Sequence, residues 1–243
     1  TMMPKTVNPK SGFVYNANNP PFMSTDGDDD AKPDDYPASM GIETFVTSRA
    51  LQIETLAKKE NRISLTKLKH IKFDNAYHPK SHQIQTLNTW LTNINTEDLN
   101  TQEQQALQQL KNWNLKTDKN NSIAALAVLT IEPIQKANGE QVKSALITQH
   151  FKQAVADLIK YHGSINVAYG EVFRLIHGDK NLAISGGPDT LRAVYGKALN
   201  DQGQAENRAG DGYMMFVSWD KNGAVYSEAV HQYGSATQDE NSP

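Results

Sequence analysis

The stretch NPKSGFVYNANNPPF, residues 8–22, decides how the rest of the chain is read. It sets Asn16, Asn18 and Asn19 almost side by side, with Gly12 before them and Pro20 and Pro21 after. Asn is a poor residue for the interior of a helix or strand, because its short amide competes with the backbone for hydrogen bonds. Two uses of such a cluster stand open. The amides can close turns ahead of the prolines. Alternatively, one amide, gripped between a strand (GFVYN reads as one) and the prolines, can aim its N–H at a developing oxyanion, where a single donor is worth ~3–4 kcal/mol.

Around that stretch, residues 4–39 carry Pro4, Pro9, Pro20, Pro21, Pro33 and Pro37 with the acidic run DGDDDAKPDD, and read as extended segments and loops. Over 40–59, Ile42, Phe45, Val46, Ile53 and Leu56 recur at helical spacing behind Ser39, a good N-cap, which predicts a long helix starting at Met40. Further helices are expected over 64–71, 81–94, 101–113 and 121–134. The run SALITQHFKQAVADLIKYHG closes this part with an apolar stripe of Leu146, Phe151, Val155, Leu158 and Ile159, and Gly163 as its stop. Beyond Gly163, VAYGEVFRLIHG, GYMMFVSWD and AVYSEAVHQYG mix β-branched and aromatic residues, and DKNG at 220–223 signals a hairpin turn; antiparallel sheet is expected. The organisation read here is an extended leading segment (1–39), a helical region (40–163) and a strand-rich region (164–243).

At 243 residues with 38% hydrophobic content, the chain can bury one large core or two small ones. Lys+Arg 24 against Asp+Glu 27 leaves a net charge of -3, which gives no basic field for nucleic acid. The absence of cysteine removes disulfides, thiolate metal sites and a cysteine nucleophile, and fits either redox compartment. No apolar run approaches the roughly 20 residues that span a bilayer, and Thr1-Met2-Met3-Pro4 has no signal-peptide character, so a membrane partner is not expected. Pro-rich sequence begins almost at once and the chain stops at Ser242-Pro243 without a closing element, from which we expect both termini to be truncated.

Standard catalytic signatures are missing. AISGG at Ser185 lacks the first Gly of G-x-S-x-G, and there is no H-E-x-x-H, Walker loop or G-x-G-x-x-G. His78 and His82 lie four apart but have Pro79 between them and no carboxylate pair, so a solvated turn is expected. Asp26, Asp28 and Asp30 imitate the opening of a calcium loop, yet Ala31 replaces its turn Gly and Pro37 its bidentate Glu; this is no EF-hand, and a solvated acidic loop or another kind of calcium site stays open. Trp90, Trp113, Phe151 and Tyr161 read as core, and Glu171, Arg174 and Arg192 as ion-pairing rather than catalytic.

The segment NPKSGFVYNANNPP resembles, nearly residue for residue, the N-P-x-S-G-(aromatic)-(aliphatic)-x-N-x-N-N-x-P segment of the penicillin acylase family of N-terminal nucleophile (Ntn) amidohydrolases. DYPASMGIETFVTSRALQIETL resembles the helix that follows it in the aculeacin, penicillin and acyl-homoserine-lactone acylases, including an arginine at Arg49. LKNWN and NSIAALAVL are similar to the family's L-x-x-W-D and its Asp-Ser helix start, with Asn114 and Asn121 in place of the acids. YGEVFRLIHG, SGGPDTLRAVYG and VHQYGSATQDENSP resemble late β-chain segments, although Tyr169 stands where many members have Trp.

This resemblance implies an α+β chain: the C-terminal part of a β-chain, a fragment of an αββα sandwich with a large helical insertion and C-terminal antiparallel strands. It implies that Asn18 donates its amide to the oxyanion, that Arg49 orients the site, and that Asn16 and Asn19 support the loop. It implies an N-acyl amide as substrate, drawn from antibiotics or quorum signals, in a periplasmic or secreted enzyme made from an autoproteolytic precursor. The nucleophile would sit on the missing N-terminal part of the β-chain, which with the missing α-chain would be the partner; Thr1, followed by Met2-Met3-Pro4, is not assigned that role. The fragment alone is then expected to be inactive. No cofactor is implied, and a structural calcium in the full enzyme stays open. The rival expectation is a non-catalytic helical protein-interaction module.

Overall fold

A computed structural model describes residues 3–59 and 62–231. Thr1 and all but the first two residues of VHQYGSATQDENSP lie outside the described residues. The fold is α+β. Helices α1 (Ser48–Lys58), α2 (Leu65–Lys72), α3 (His82–Asn93), α4 (Thr101–Lys111), α5 (Ala124–Lys136), α6 (Ser144–His162) and the single turn α7 (Tyr169–Val172) precede the strands. Strands β1 (Phe173–His177), β2 (Lys180–Ala183), β3 (Val194–Leu199) and β4 (Ala205–Gly210) form one sheet, and β5 (Tyr213–Trp219) and β6 (Val225–His231) a separate hairpin.

Helix α5 is apolar on nearly every side, so it can be stable only if it is surrounded. It buries Ala124, Ala125, Leu126, Ala127, Val128, Ile131 and Ile134. Around it, α3 contributes Ile84, Leu87 and Trp90, α4 contributes Ala106, Leu107 and Leu110, and α6 contributes Ile147, Phe151, Ala154, Val155 and Leu158. Trp90 and Phe151 meet with ring centroids 5.4 Å apart, and Trp113 packs edge-on to Tyr77. Helix ends follow local chemistry: Ser64 Oγ accepts the Lys67 N–H, Asn100 and Glu103 form a reciprocal capping box, and Gly163 ends α6 in the left-handed region.

Three elements differ from the sequence expectation. The first long helix begins at Ser48 rather than near Met40. Residues 38–40 form one 3₁₀ turn that Gly41 ends at φ 61°, and the chain then runs extended to Thr47, whose Oγ1 accepts the Ala50 N–H at 3.1 Å as the true N-cap. Phe45 leaves the helical pattern to pack edge-on to the His82 ring and over Gly139, where a Cβ would come within 2.4 Å of its ring. GFVYN forms no ladder; it is tied to the returning loop by one backbone bond, Tyr15 N to Ser24 O at 2.9 Å, and by the Thr25 hydroxyl donating to Phe13 O at 2.7 Å. The segment VAYGEVFRLIHG opens on α7 before it becomes strand.

The four-stranded sheet has the order β2-β1-β4-β3, with antiparallel outer pairings and a short parallel contact of β1 with β4 at Phe173–Ala205 and Arg174–Glu206. Between β2 and β3 the chain leaves the sheet as the 184–193 loop and is sewn to the helical region. Gly186 N donates to Thr117 O at 3.0 Å, Arg192 N to Asp74 O at 2.8 Å, and the buried Tyr169 hydroxyl to Gly186 O at 2.7 Å. Asp220, whose Oδ1 accepts the Asn222 and Ala224 N–H groups, turns β5 into β6 with Gly223 at φ 84°.

Candidate active site

The Asn cluster builds its own turn. Asn16 Oδ1 accepts the Asn18 N–H at 2.9 Å, and Asn19 Oδ1 accepts the Ala17 N–H at 2.7 Å. The Asn19 amide nitrogen donates onward to Pro20 O and Met23 O. With the side chains on both flanks so engaged, Asn18 sits at φ 57°, in the left-handed region that Asn tolerates better than most residues. Its own side chain leaves the loop toward the first turn of α1.

There Arg49, the second residue of α1, donates from Nη2 to Asn18 Oδ1 at 3.0 Å. Its Nε donates to Asp189 Oδ1 at 3.1 Å. A guanidinium carries only donors, so the Asn18 atom facing it must be the carbonyl oxygen. The Asn18 Nδ2 therefore faces the opposite way and finds no acceptor among the described residues, while the residue is exposed. Donation from a cation also polarises the amide and strengthens its N–H as a donor.

Asp189 is the hub behind this pair. It is 8% exposed and sits at φ 60° in the 184–193 loop. Its Oδ2 accepts from Ser48 N, the first free N–H of α1, and from Gln83 Nε2 of α3, both at 2.8 Å. A carboxylate at that place also meets the positive end of the helix dipole. The neighbouring hydroxyls are already committed: Thr47 Oγ1 donates to Ala17 O at 3.1 Å while capping α1, and the buried Ser48 Oγ accepts the His78 N–H at 2.9 Å. Neither is a free nucleophile beside a base.

The other sequence candidates lie apart from this constellation. His78 Nε2 pairs with Thr55 Oγ1 at 3.2 Å, and its Nδ1 accepts the Lys80 N–H at 3.2 Å. Burial first, and the charge of Lys80 second, lower the His78 pKa below its ordinary value. Asp26 pairs with Lys58, Asp29 accepts the Lys10 N–H, and Asp30 Oδ1 accepts the Ser24 and Thr25 N–H groups, so these carboxylates tie the leading loop together. Among the described residues no three His, Cys, Asp or Glu side chains are grouped to hold a cation. Arg174 donates to Gly170 O and to Asn181, and Arg192 pairs with Asp211. Asn121 donates to Asn114 Oδ1 and accepts the Ile123 N–H, closing the turn into α5.

The penicillin amidase family model matches residues 1–241. The chain belongs to the penicillin amidase family. That makes it part of a family of acylase-type hydrolases. A search of curated proteins found no match. In this penicillin amidase-family chain, the sequence reading singled out Asn18 and Arg49, and the fold brings these two into contact. It missed Asp189 and Gln83. Asp189 lies within SGGPDTLRAVYG, where an acid flanked by Gly-Gly-Pro and Thr was the available signal. Gln83 carried none, being one of two glutamines at the start of an amphipathic helix.

Proposed function

We propose that this chain supplies the oxyanion-hole amide of an N-acyl amide hydrolase whose nucleophile arrives on a segment outside residues 1–243. The observation that carries the reading is the Arg49 lock on Asn18: a donor-only cation holds the amide oxygen, so the amide N–H is presented outward. In the proposed reaction, the hydroxyl of an N-terminal nucleophile attacks the acyl carbonyl while its own α-amino group takes the proton. The carbonyl oxygen becomes an anion, which Asn18 Nδ2 stabilises by donating a hydrogen bond. Collapse expels the amine, which takes the proton back from the α-amino group, and leaves an acyl ester. Water then releases the acid, with the same amino group as base. Asn suits this role because it donates without carrying charge, and Asp189 neutralises the Arg49 cation behind it.

The exposed apolar side chains of the β5–β6 hairpin, among them Tyr213, Met215, Trp219 and Val230, support a place for these strands in a larger αββα sandwich completed by an α-chain and the front of a β-chain. Periplasmic or secreted location, autoproteolytic maturation, and antibiotic or quorum-signal amides as substrates rest on family likeness. The same exposed hairpin favours the rival reading, a non-catalytic interaction module. Asn18→Ala in the full enzyme separates them. On a chromogenic N-acyl amide, kcat is expected to fall ~10²–10³-fold, while the exposed position limits the stability loss to the ~1–2 kcal/mol that Ala costs at φ 57°. Partner binding without turnover, indifferent to this change, would establish the module instead.

A further inference from the structure

We propose that Asp189 is the positioning residue of the oxyanion hole, acting on Asn18 through Arg49; this rests on the function proposed above. Asn18 is exposed, and by itself its amide could present either end to the substrate. What selects the N–H is Arg49, and a long arginine holds one place only if something fixes its far side. Asp189 does so from a buried, multiply tethered loop. Position is thus passed from the 184–193 loop to Asp189 Oδ1, to Arg49 Nε, and through Nη2 to Asn18 Oδ1.

The donor count explains why an aspartate stands here. Three donors converge on the two oxygens: Arg49 Nε on one, Ser48 N and Gln83 Nε2 on the other. An asparagine has the same shape and tolerates φ 60°, but it has one acceptor end and one donor end. Turned one way, its NH₂ would confront Ser48 N, a fully buried backbone donor that cannot turn away, even if the Gln83 amide turned to accept from it. Turned the other way, it would confront only Arg49 Nε, on a side chain 20% exposed that can swing into solvent. Asp189→Asn therefore keeps the start of α1 and the bond to α3, and releases Arg49 selectively.

The test is made in the full enzyme on a chromogenic N-acyl amide, with kcat expressed per acylatable site. Asp189→Asn is expected to lower kcat ~10–100-fold, the scale of a misplaced catalytic group, with KM changed less than about twofold. It should add no further loss to Asn18→Ala, since both remove the same donor. Arg49→Lys, whose single ammonium cannot serve Asp189 and Asn18 as a fork does, should reproduce the loss and covers the case in which Asp189→Asn folds poorly. A purely structural role would lower the melting temperature and the number of titratable sites, but not kcat per site. Unchanged kcat per site in Asp189→Asn or in a folded Arg49→Lys, or additive losses with Asn18→Ala, overturns the proposal while leaving the Asn18 reading intact. Unchanged kcat in Asn18→Ala overturns that reading itself, and this proposal with it.

Discussion

Every residue of β6, from Val225 to His231, is exposed, whereas α5 hides Ala124 to Val128, Ile131 and Ile134 almost completely. The two regions teach different things about the same chain. Around α5 the helical body buries most of its large apolar side chains, although Leu65, Leu68, Phe73 and Leu146 stay exposed, and so it carries the stability of the described structure. The hairpin is fully registered, from Tyr213–His231 to Trp219–Val225, yet two strands alone are marginal in water, and Tyr213 and Trp219 remain 61% and 66% exposed. The site lies against the body rather than on the hairpin, because α1, α3 and the 184–193 loop share Asp189.

The contrast is broken most forcefully from the closed side. Ile131→Ala, at a fully buried position amid α5, is expected to destabilise the chain by ~2–5 kcal/mol, through lost transfer energy and the cavity left behind. Chemical denaturation followed by helical circular dichroism measures it. An Asn100→Ala change removes one half of the α4 capping box: the Glu103 N–H loses its acceptor, while the Glu103 carboxylate keeps the backbone N–H of residue 100. Its expected cost is ~0.5–2 kcal/mol on the same assay.

What was legible in the sequence divides along similar lines. Ser64, Asn100 and Gly163 mark helix ends by chemistry within one turn of chain, so those boundaries read correctly or nearly so. The start of α1 did not, since Ile42, Phe45 and Val46 are apolar for tertiary reasons while Gly41 and Thr47 set the local conformation. Asn18 and Arg49 were visible as a family pattern, but their contact spans 31 residues. Asp189 reaches Ser48 across 141 residues, and no local periodicity encodes such a meeting. GFVYN has the composition of a strand, but one backbone bond, at Tyr15, is not a ladder.

A smaller effect comes from His78, which joins the site's wall to α1. In the neutral ring Nδ1 accepts the Lys80 N–H and Nε2 is left to donate to Thr55 Oγ1. Protonation would place a second donor against Lys80 N. The folded pKa is lowered from 6.5, by burial and then by Lys80, so above 6.5 the ring is neutral in both states and adds no penalty. As pH falls below 6.5 the unfolded state takes up the proton first, and stability declines until the folded pKa is passed. Melting temperatures at descending pH should therefore fall faster for the unaltered chain than for His78→Gln; parallel curves would remove His78 as the cause.

The smallest change in stability is expected on the open side, and its smallness is what makes it informative. Trp219 is 66% exposed at the end of β5, so Trp219→Ser should alter the unfolding free energy of this chain by less than about 0.5 kcal/mol. If the hairpin completes a sheet with another segment, the same substitution deletes buried aromatic area there and should weaken assembly with the nucleophile-bearing part of the enzyme, read as a lower yield of active complex at fixed chain concentration. A loss appearing only on assembly would mean that the exposed apolar residues of β5 and β6 are an interface awaiting its partner. A loss of several kcal/mol in the chain alone would mean that the hairpin belongs to the same cooperative unit as α5, and the division between a closed body and an open edge would not stand.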